Sequence, residues 1–327
     1  MPDVPSPAAQ DFECVELAIV ALGRARLTMP ELAAMRKAPP PGFAARFSTQ
    51  LLKHSDEQTL AALTALGTAL TESELEQEDF SRWAVISSSR YIGRSAFAAV
   101  IDKYRVEGPW GVSVQVIPHR SPHSVSGTIS MALGNHGPCI GVGAGPDDEV
   151  HALASVAGAL RRRQWAGAWV VLSAWTPELA IDRAGRPTSD SQCQAAALAL
   201  VPTFSAGRFA TDQRKHDVCD RAPLGHVRFG PLQNDAGCPL PSDAAGHAAG
   251  ASPNLTDFLI APDSAGRAWR CPFGGVLEVE VALAAHPRRT AEDGTPAAQN
   301  SEAPRRVPAS ASARGRSTAP NMLGGRV

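Results

Sequence analysis

Apolar runs and helical patterns take turns along this chain, and that alternation constrains its fold more than any single motif. "VELAIVALG" (15–23) reads as a strand, and "DEQTLAALTALGTALTES" (56–73) as an amphipathic helix with Leu and Ala recurring at three and four residues. "WAVISSS" (83–89) is a short buried strand followed by the helical "RSAFAAVIDKYRVEG" (94–108) and "PHSVSGTISMALG" (122–134). "AWVVLSAW" (168–175) and "CQAAALALV" (193–201) are continuous apolar runs, as interior strands are, while "GGVLEVEVALA" (274–284) alternates like a strand with one wetter face. This order predicts an α/β layered domain whose largely parallel sheet lies between helices.

Composition narrows the function classes. With 44% hydrophobic and 19% charged residues and a net charge of -1, the chain advertises no surface for nucleic acid. Its start, "MPDVPSPAAQDFECVELAIVALG", has acids where a signal peptide needs a basic region, so a cytoplasmic protein is expected. The longest apolar stretch, "WAGAWVVLSAW" (165–175), is shorter than the roughly 18 residues of a membrane span. Six cysteines without CxxC pairs fit a reducing compartment.

Domain limits follow from composition too. Residues 1–12 are expected to be flexible, 13–286 to form the ordered domain, and 202–252 to be an irregular, variable segment within it. From Pro287 to Val327 the chain has five prolines, seven arginines and three acids, with almost no large apolar residue, and is expected to be a disordered tail.

The stretch "GPCIGVGAGPDDEVHAL" (137–153) is the densest motif. Cys139 to Val142 end a short strand, Gly141, Gly143 and Gly145 allow a tight backbone path, and Pro146 suits the first position of a following helix. Asp147, Asp148 and Glu149 fall in that helix's first turn and Arg161, Arg162 and Arg163 in its last, as the helix dipole favours. A dinucleotide site is disfavoured: Gly141-x-Gly143-x-x-Pro146 lacks the third glycine, and three acids stand where a pyrophosphate needs positive charge.

Residues 124–175, "SVSGTISMALGNHGPCIGVGAGPDDEVHALASVAGALRRRQWAGAWVVLSAW", resemble the centre of β-ketoacyl synthases of the thiolase-like superfamily. Gly127, Ile129, Ser130, Leu133, Gly134, Gly137, Pro138, Ala152 and Leu153 carry the match, and the upstream "VIPHRSPHSVSG" is closest to short ketosynthase-like N-terminal proteins found near aryl-polyene and fatty-acid-type gene sets. The resemblance spans roughly residues 13–202. It implies a thiolase-like fold with a truncated second half and places the family's condensing cysteine at Pro146, which has no nucleophile. The family's first histidine motif is absent, and the second is echoed only in "GHAAGASP", around Gly246, His247, Gly250 and Ala251.

Substitute nucleophiles are few. Cys139 precedes the elbow and His247 is the other weak catalytic candidate; Ser124 beside His123 has no G-x-S-x-G context. His119 and His123 are separated by Pro122, which favours a turn over a shared metal, and His216, Cys219, His226 and Cys238 match no strong zinc spacing. No cofactor or metal is implied. Three readings remain: a catalytically silent partner subunit in fatty-acid or polyketide-type biosynthesis, an acyltransferase with a relocated nucleophile, and a free-standing acyl-binding or scaffold protein. For the first, the resemblance implies a dimer through residues 138–143, with an active ketosynthase or a second copy, and an acyl carrier protein as a further partner.

Deleting residues 287–327 is expected to leave the thermal midpoint nearly unchanged, since such a composition supplies no core. A drop of several degrees in a thermal scan would show that the tail docks.

Overall fold

The computed structural model describes residues 14–37, 47–114, 116–143, 145, 147–161, 165–182, 190–203, 222–230, 254–272 and 276–282. Its strands are β1 (Val15–Leu27), β2 (Trp83–Ser89), β3 (Cys139–Val142), β4 (Gly167–Thr176), β5 (Gln192–Pro202), β6 (Gly225–Gly230), β7 (Arg267–Pro272) and β8 (Val276–Val281). Its helices are α1 (Met29–Met35), α2 (Thr49–His54), α3 (Glu57–Glu72), α4 (Arg94–Glu107), α5 (Val116–Arg120), α6 (Pro122–Leu133), α7 (Asp148–Arg161) and α8 (Leu255–Ile260). The strands join one sheet in the order β3-β2-β4-β5-β1-β6-β8-β7. Among the described residues, no helix is long and apolar enough to cross a membrane.

Helices cover both faces of this sheet, so the α/β class expected from the sequence holds. Its largely parallel character does not. Only β2–β3 and β2–β4 are parallel; β4–β5, β5–β1, β1–β6, β6–β8 and β8–β7 are antiparallel. Continuous apolar runs report that both faces are covered, which helices achieve whichever way a strand points. After β4 the chain returns directly beside it as β5, and β7 and β8 form a hairpin.

Alternation along the strands feeds two cores. On one face Trp169 and Val171 of β4 and Ala195, Ala197 and Ala199 of β5 meet α3 and α6. On the other, Val170 and Leu172 of β4 and Leu198 and Leu200 of β5 meet α7 and α8. The α3 face is built of small residues: Ala21 and Ala25 of β1 and the three alanines of β5 oppose Ala61, Ala62, Ala65 and Ala69 of the helix. At Gly23 the approach is so close that an added Cβ would lie 2.0 Å from the Ala65 carbonyl oxygen and 2.4 Å from the Ala69 nitrogen. The amino ends of β2 and β4 are closed by Phe80, Trp83 and Trp169, with Phe80 edge-on to both indoles at centroid distances of 5.1 and 5.5 Å.

Several boundaries differ from the sequence reading. β1 continues to Leu27, well past the expected strand, because Ala25 still faces the core. The helix expected from Pro146 begins at Asp148, with Asp147 in the turn before it, while Pro146, Arg162 and Arg163 lie outside the described residues. The tail from 287 and most of 202–252 also lie outside them.

Gly23→Ala is expected to destabilise the protein by about 1–3 kcal/mol, because backbone on both sides must move. Gly158→Ala, on the exposed side of α7 with nothing within 4 Å of the new Cβ, is expected to stabilise it by about 1 kcal/mol. Denaturant midpoints of the two variants check both signs.

Candidate functional site

The elbow singled out from the sequence is formed by α6, β3 and α7. β3 lies parallel to β2, with Cys139 opposite Val85 and Val142 opposite Ser88. Asn135 fixes the entry to β3: its amide nitrogen donates to the carbonyls of Phe80, at 3.0 Å, and Trp83, and its side-chain oxygen accepts from Gly137 N at 2.9 Å. Gly141 is required by contact, since a Cβ there would lie 2.3 Å from the Pro122 backbone at the start of α6.

The candidate nucleophiles are not assembled with bases. Cys139 begins the strand, half-buried, and among the described residues no histidine or carboxylate is bonded to its thiol. Ser124 Oγ is buried and has no hydrogen-bond partner among the described residues. His119 and His123 belong to different helices, broken at Ser121, and His119 stacks instead on His54 with centroids 5.8 Å apart. His226 Nδ1 lies 3.3 Å from Glu16 on the neighbouring strand. Pro146, His247, His216, Cys219 and Cys238 lie outside the described residues. Among the described residues no cluster of three or more metal-ligating side chains occurs.

Polar groups converge instead at the carboxyl ends of β2 and β4. Ser173 Oγ donates to Gln58 Oε1 at 3.1 Å and lies at the same distance from Ser89 Oγ, while Gln58 Nε2 donates to the Arg90 carbonyl at 2.7 Å. Two residues earlier, Asp56 caps α3 by accepting from Gln58 N at 2.9 Å and pairs with Arg120 of α5 at 2.8 Å. Burial and the neighbouring Glu57 carboxylate push the Asp56 pKa up to about 6, against the pull of Arg120. Glu57, held by Arg36 at 2.7 Å, stays below its ordinary value despite its burial.

The first turn of α7 adds two buried acids that the sequence reading placed there only for the helix dipole. Glu149 accepts hydrogen bonds from Thr256, from the backbone N at 3.3 Å and from the hydroxyl, tying α7 to α8. Burial raises its pKa even so. Asp148 is 2% exposed and neither of its carboxylate oxygens completes a hydrogen bond of normal geometry. Desolvation raises its pKa, opposed by the nearby Ser88 hydroxyl, backbone N–H groups and Arg90. Ser88 Oγ, on a residue 1% exposed, is also without a hydrogen-bond partner. A cleft of about 210 Å³ opens beside this cluster, lined by Arg90, Tyr91, Arg94, Trp175 and Pro177 among others. Nothing in "SSSRYIGR" signals it, because its parts come from the ends of three elements.

The chain is thus a helix-covered α/β protein with an edge-strand elbow and a polar cluster beside it. No family model and no curated protein matches it. Among solved structures it is similar to a type II PKS acyl-carrier protein in complex with its ketosynthase bound to the hexaketide, at 15% identity over 66% of this chain and 70% of that chain, with a TM-score of 0.46. It is also similar to the ishigamide ketosynthase/chain length factor, at 14% identity over 68% of each chain and a TM-score of 0.44. A β-ketoacyl synthase from Burkholderia phymatum STM815 is 11% identical over 71% of this chain and 67% of that chain, with a TM-score of 0.41.

Because the folded pKa of Asp56, about 6, exceeds its unfolded value of 3.8, the folded state holds the extra proton between these values. The stability contributed by this group therefore falls as pH rises from about 4 to about 6. Asp56→Asn keeps a capping side chain and is expected to flatten that dependence by up to about 1.4 kcal/mol per pH unit. Denaturant titrations at several pH values, with Asp148 and Glu149 unchanged in both proteins, check the slope.

Proposed function

We propose that this chain is a cytoplasmic β-ketoacyl-synthase-like subunit that does not condense acyl units by itself and pairs with an active ketosynthase or a second copy. Its setting would be fatty-acid or polyketide-type, aryl-polyene-like biosynthesis, with an acyl carrier protein delivering the chains. The sequence supports the silent half of this reading: the resemblance puts Pro146, which has no nucleophilic atom, where the family has its condensing cysteine.

The observation that carries the pairing half is the contrast between the two edges of the sheet. β7, at one edge, bears the exposed charges of Arg267 and Arg270, which blunt edge-to-edge association. β3, at the other, bears none, and Ile140 on it is 38% exposed. The segment joining β2 to β3 exposes further large apolar side chains, including Tyr104, Val114, Ile117 and Met131, with Trp110 98% exposed, and α4 within it has no buried residue. A monomer seldom exposes that much large apolar surface. A second subunit that continued the sheet through β3 would cover that edge, and a stable interface of this kind buries about 1,200 Å² or more.

Size-exclusion chromatography and co-purification with candidate ketosynthases test the pairing: a dimer or a captured ketosynthase is expected. Ile140→Lys is expected to yield monomer or insoluble protein. A wild-type monomer at micromolar concentration that also ignores every ketosynthase offered to it overturns the reading. With acyl and malonyl thioesters the isolated protein is expected to give no condensation product. Turnover that disappears in Cys139→Ala would assign the chain an active, relocated nucleophile instead.

A further inference from the structure

The cleft over the carboxyl ends of β2 and β4 has the position at which open α/β sheets take ligands, and its groups divide by chemistry. Its acids are engaged: Glu178 pairs with Arg94, and Asp257 accepts from Thr176 Oγ1 at 3.1 Å. Arg90 differs. Among the described residues no carboxylate is hydrogen-bonded to its guanidinium, and its Nε is buried without a partner. The carboxyl that it does feel, Asp148, has its pKa raised by desolvation against the pull of Arg90.

Tyr91, the next residue, is held at φ 56°, a left-handed conformation that strains a bulky side chain. The strain presents its ring, 39% exposed, between two guanidinium groups, with Arg90 5.4 Å and Arg94 5.5 Å from the centroid. A glycine would make this turn without strain, so the tyrosine carries a backbone cost here. The apolar side chains of Trp175, Pro177 and Leu179 line the same cleft. An arginine without a carboxylate partner beside an exposed aromatic ring, in a cleft with further apolar lining, complements a small molecule with an oxyanion at one end and a flat apolar body at the other.

We infer that this cleft binds a small apolar oxyacid, its anionic group on the Arg90 guanidinium and its body between Tyr91 and Trp175. This site is independent of pairing through β3 and stands or falls separately from it. Isothermal titration of the full chain with benzoate, phenyl phosphate and the neutral benzamide tests it. Saturable binding of at least one anion is expected, with benzamide weaker by about tenfold or more; benzoate alone identifies a carboxylate ligand, phenyl phosphate alone a phosphate monoester, and both a general oxyanion site. Arg90→Gln is expected to weaken the bound anion by about tenfold or more. Tyr91→Gly relieves the strained φ, so its thermal midpoint is expected to equal or exceed that of the wild type while its affinity for the anion falls. No saturable binding of either anion, binding of benzamide as tight as that of the anions, or affinity unchanged in Tyr91→Gly overturns the inference, even where Arg90→Gln fails to fold.

Discussion

Close seating of α3 on the sheet is the constraint from which the site follows. Alanines on β1, β5 and the helix, with Gly23 between them, let two backbones approach to a distance that any larger side chain would forbid. The helix axis is then fixed to within the size of a methyl group. Its N-terminus is delivered to the carboxyl ends of β2 and β4, where Gln58 reaches Ser173 and the Arg90 carbonyl. Asp56 at the cap in turn draws in Arg120 and holds α5, a helix with no buried residue of its own. One apolar contact thus sets the coordinates of a polar network at the other end of the same helix.

The two ends of the parallel strands are consequently unlike. At the amino ends, three aromatic rings fill space with little polar content. At the carboxyl ends, Asp56, Asp148, Glu149, Gln58 and three consecutive serines are buried together. Burying carboxyl groups costs stability unless they are paired, and here only Asp56 and Glu149 have full partners. Desolvation accordingly pushes the pKa values of all three acids up.

Much of the fold was legible in the sequence, and the losses have specific causes. The limits of β2 and the body of α3 follow directly from apolar pattern, since those signals are local. The direction of β5 is not local: "CQAAALALV" is equally apolar whether it runs with β4 or against it. The small hairpin β7–β8 and β6 complete the sheet with pairings that no periodicity encodes. In the site, the elbow's order of helix, strand and helix was readable, and the surroundings of its acids were not. An acid in a first helical turn satisfies the dipole whether water or protein surrounds it. Burial of Glu149 depends on Thr256, more than a hundred residues later. Tyr91 was unreadable for another reason, because nothing about a tyrosine after "SSSR" announces a left-handed backbone.

β1 pairs with β5 along most of its length, from Leu17 opposite Pro202 to Leu27 opposite Cys193, and with β6 at its amino end, where Ile19 faces Gly225. The whole stretch between Leu27 and Gln192 must be made after this strand before its first hydrogen-bonding neighbour exists. Closing so long a loop before any pairing rewards it makes such topologies slow to fold. In the meantime α3 offers an apolar surface against which one face of β1 can shelter. The order of manufacture and the order of placement therefore differ: a strand made well before either neighbour ends up between them, near the centre of the sheet.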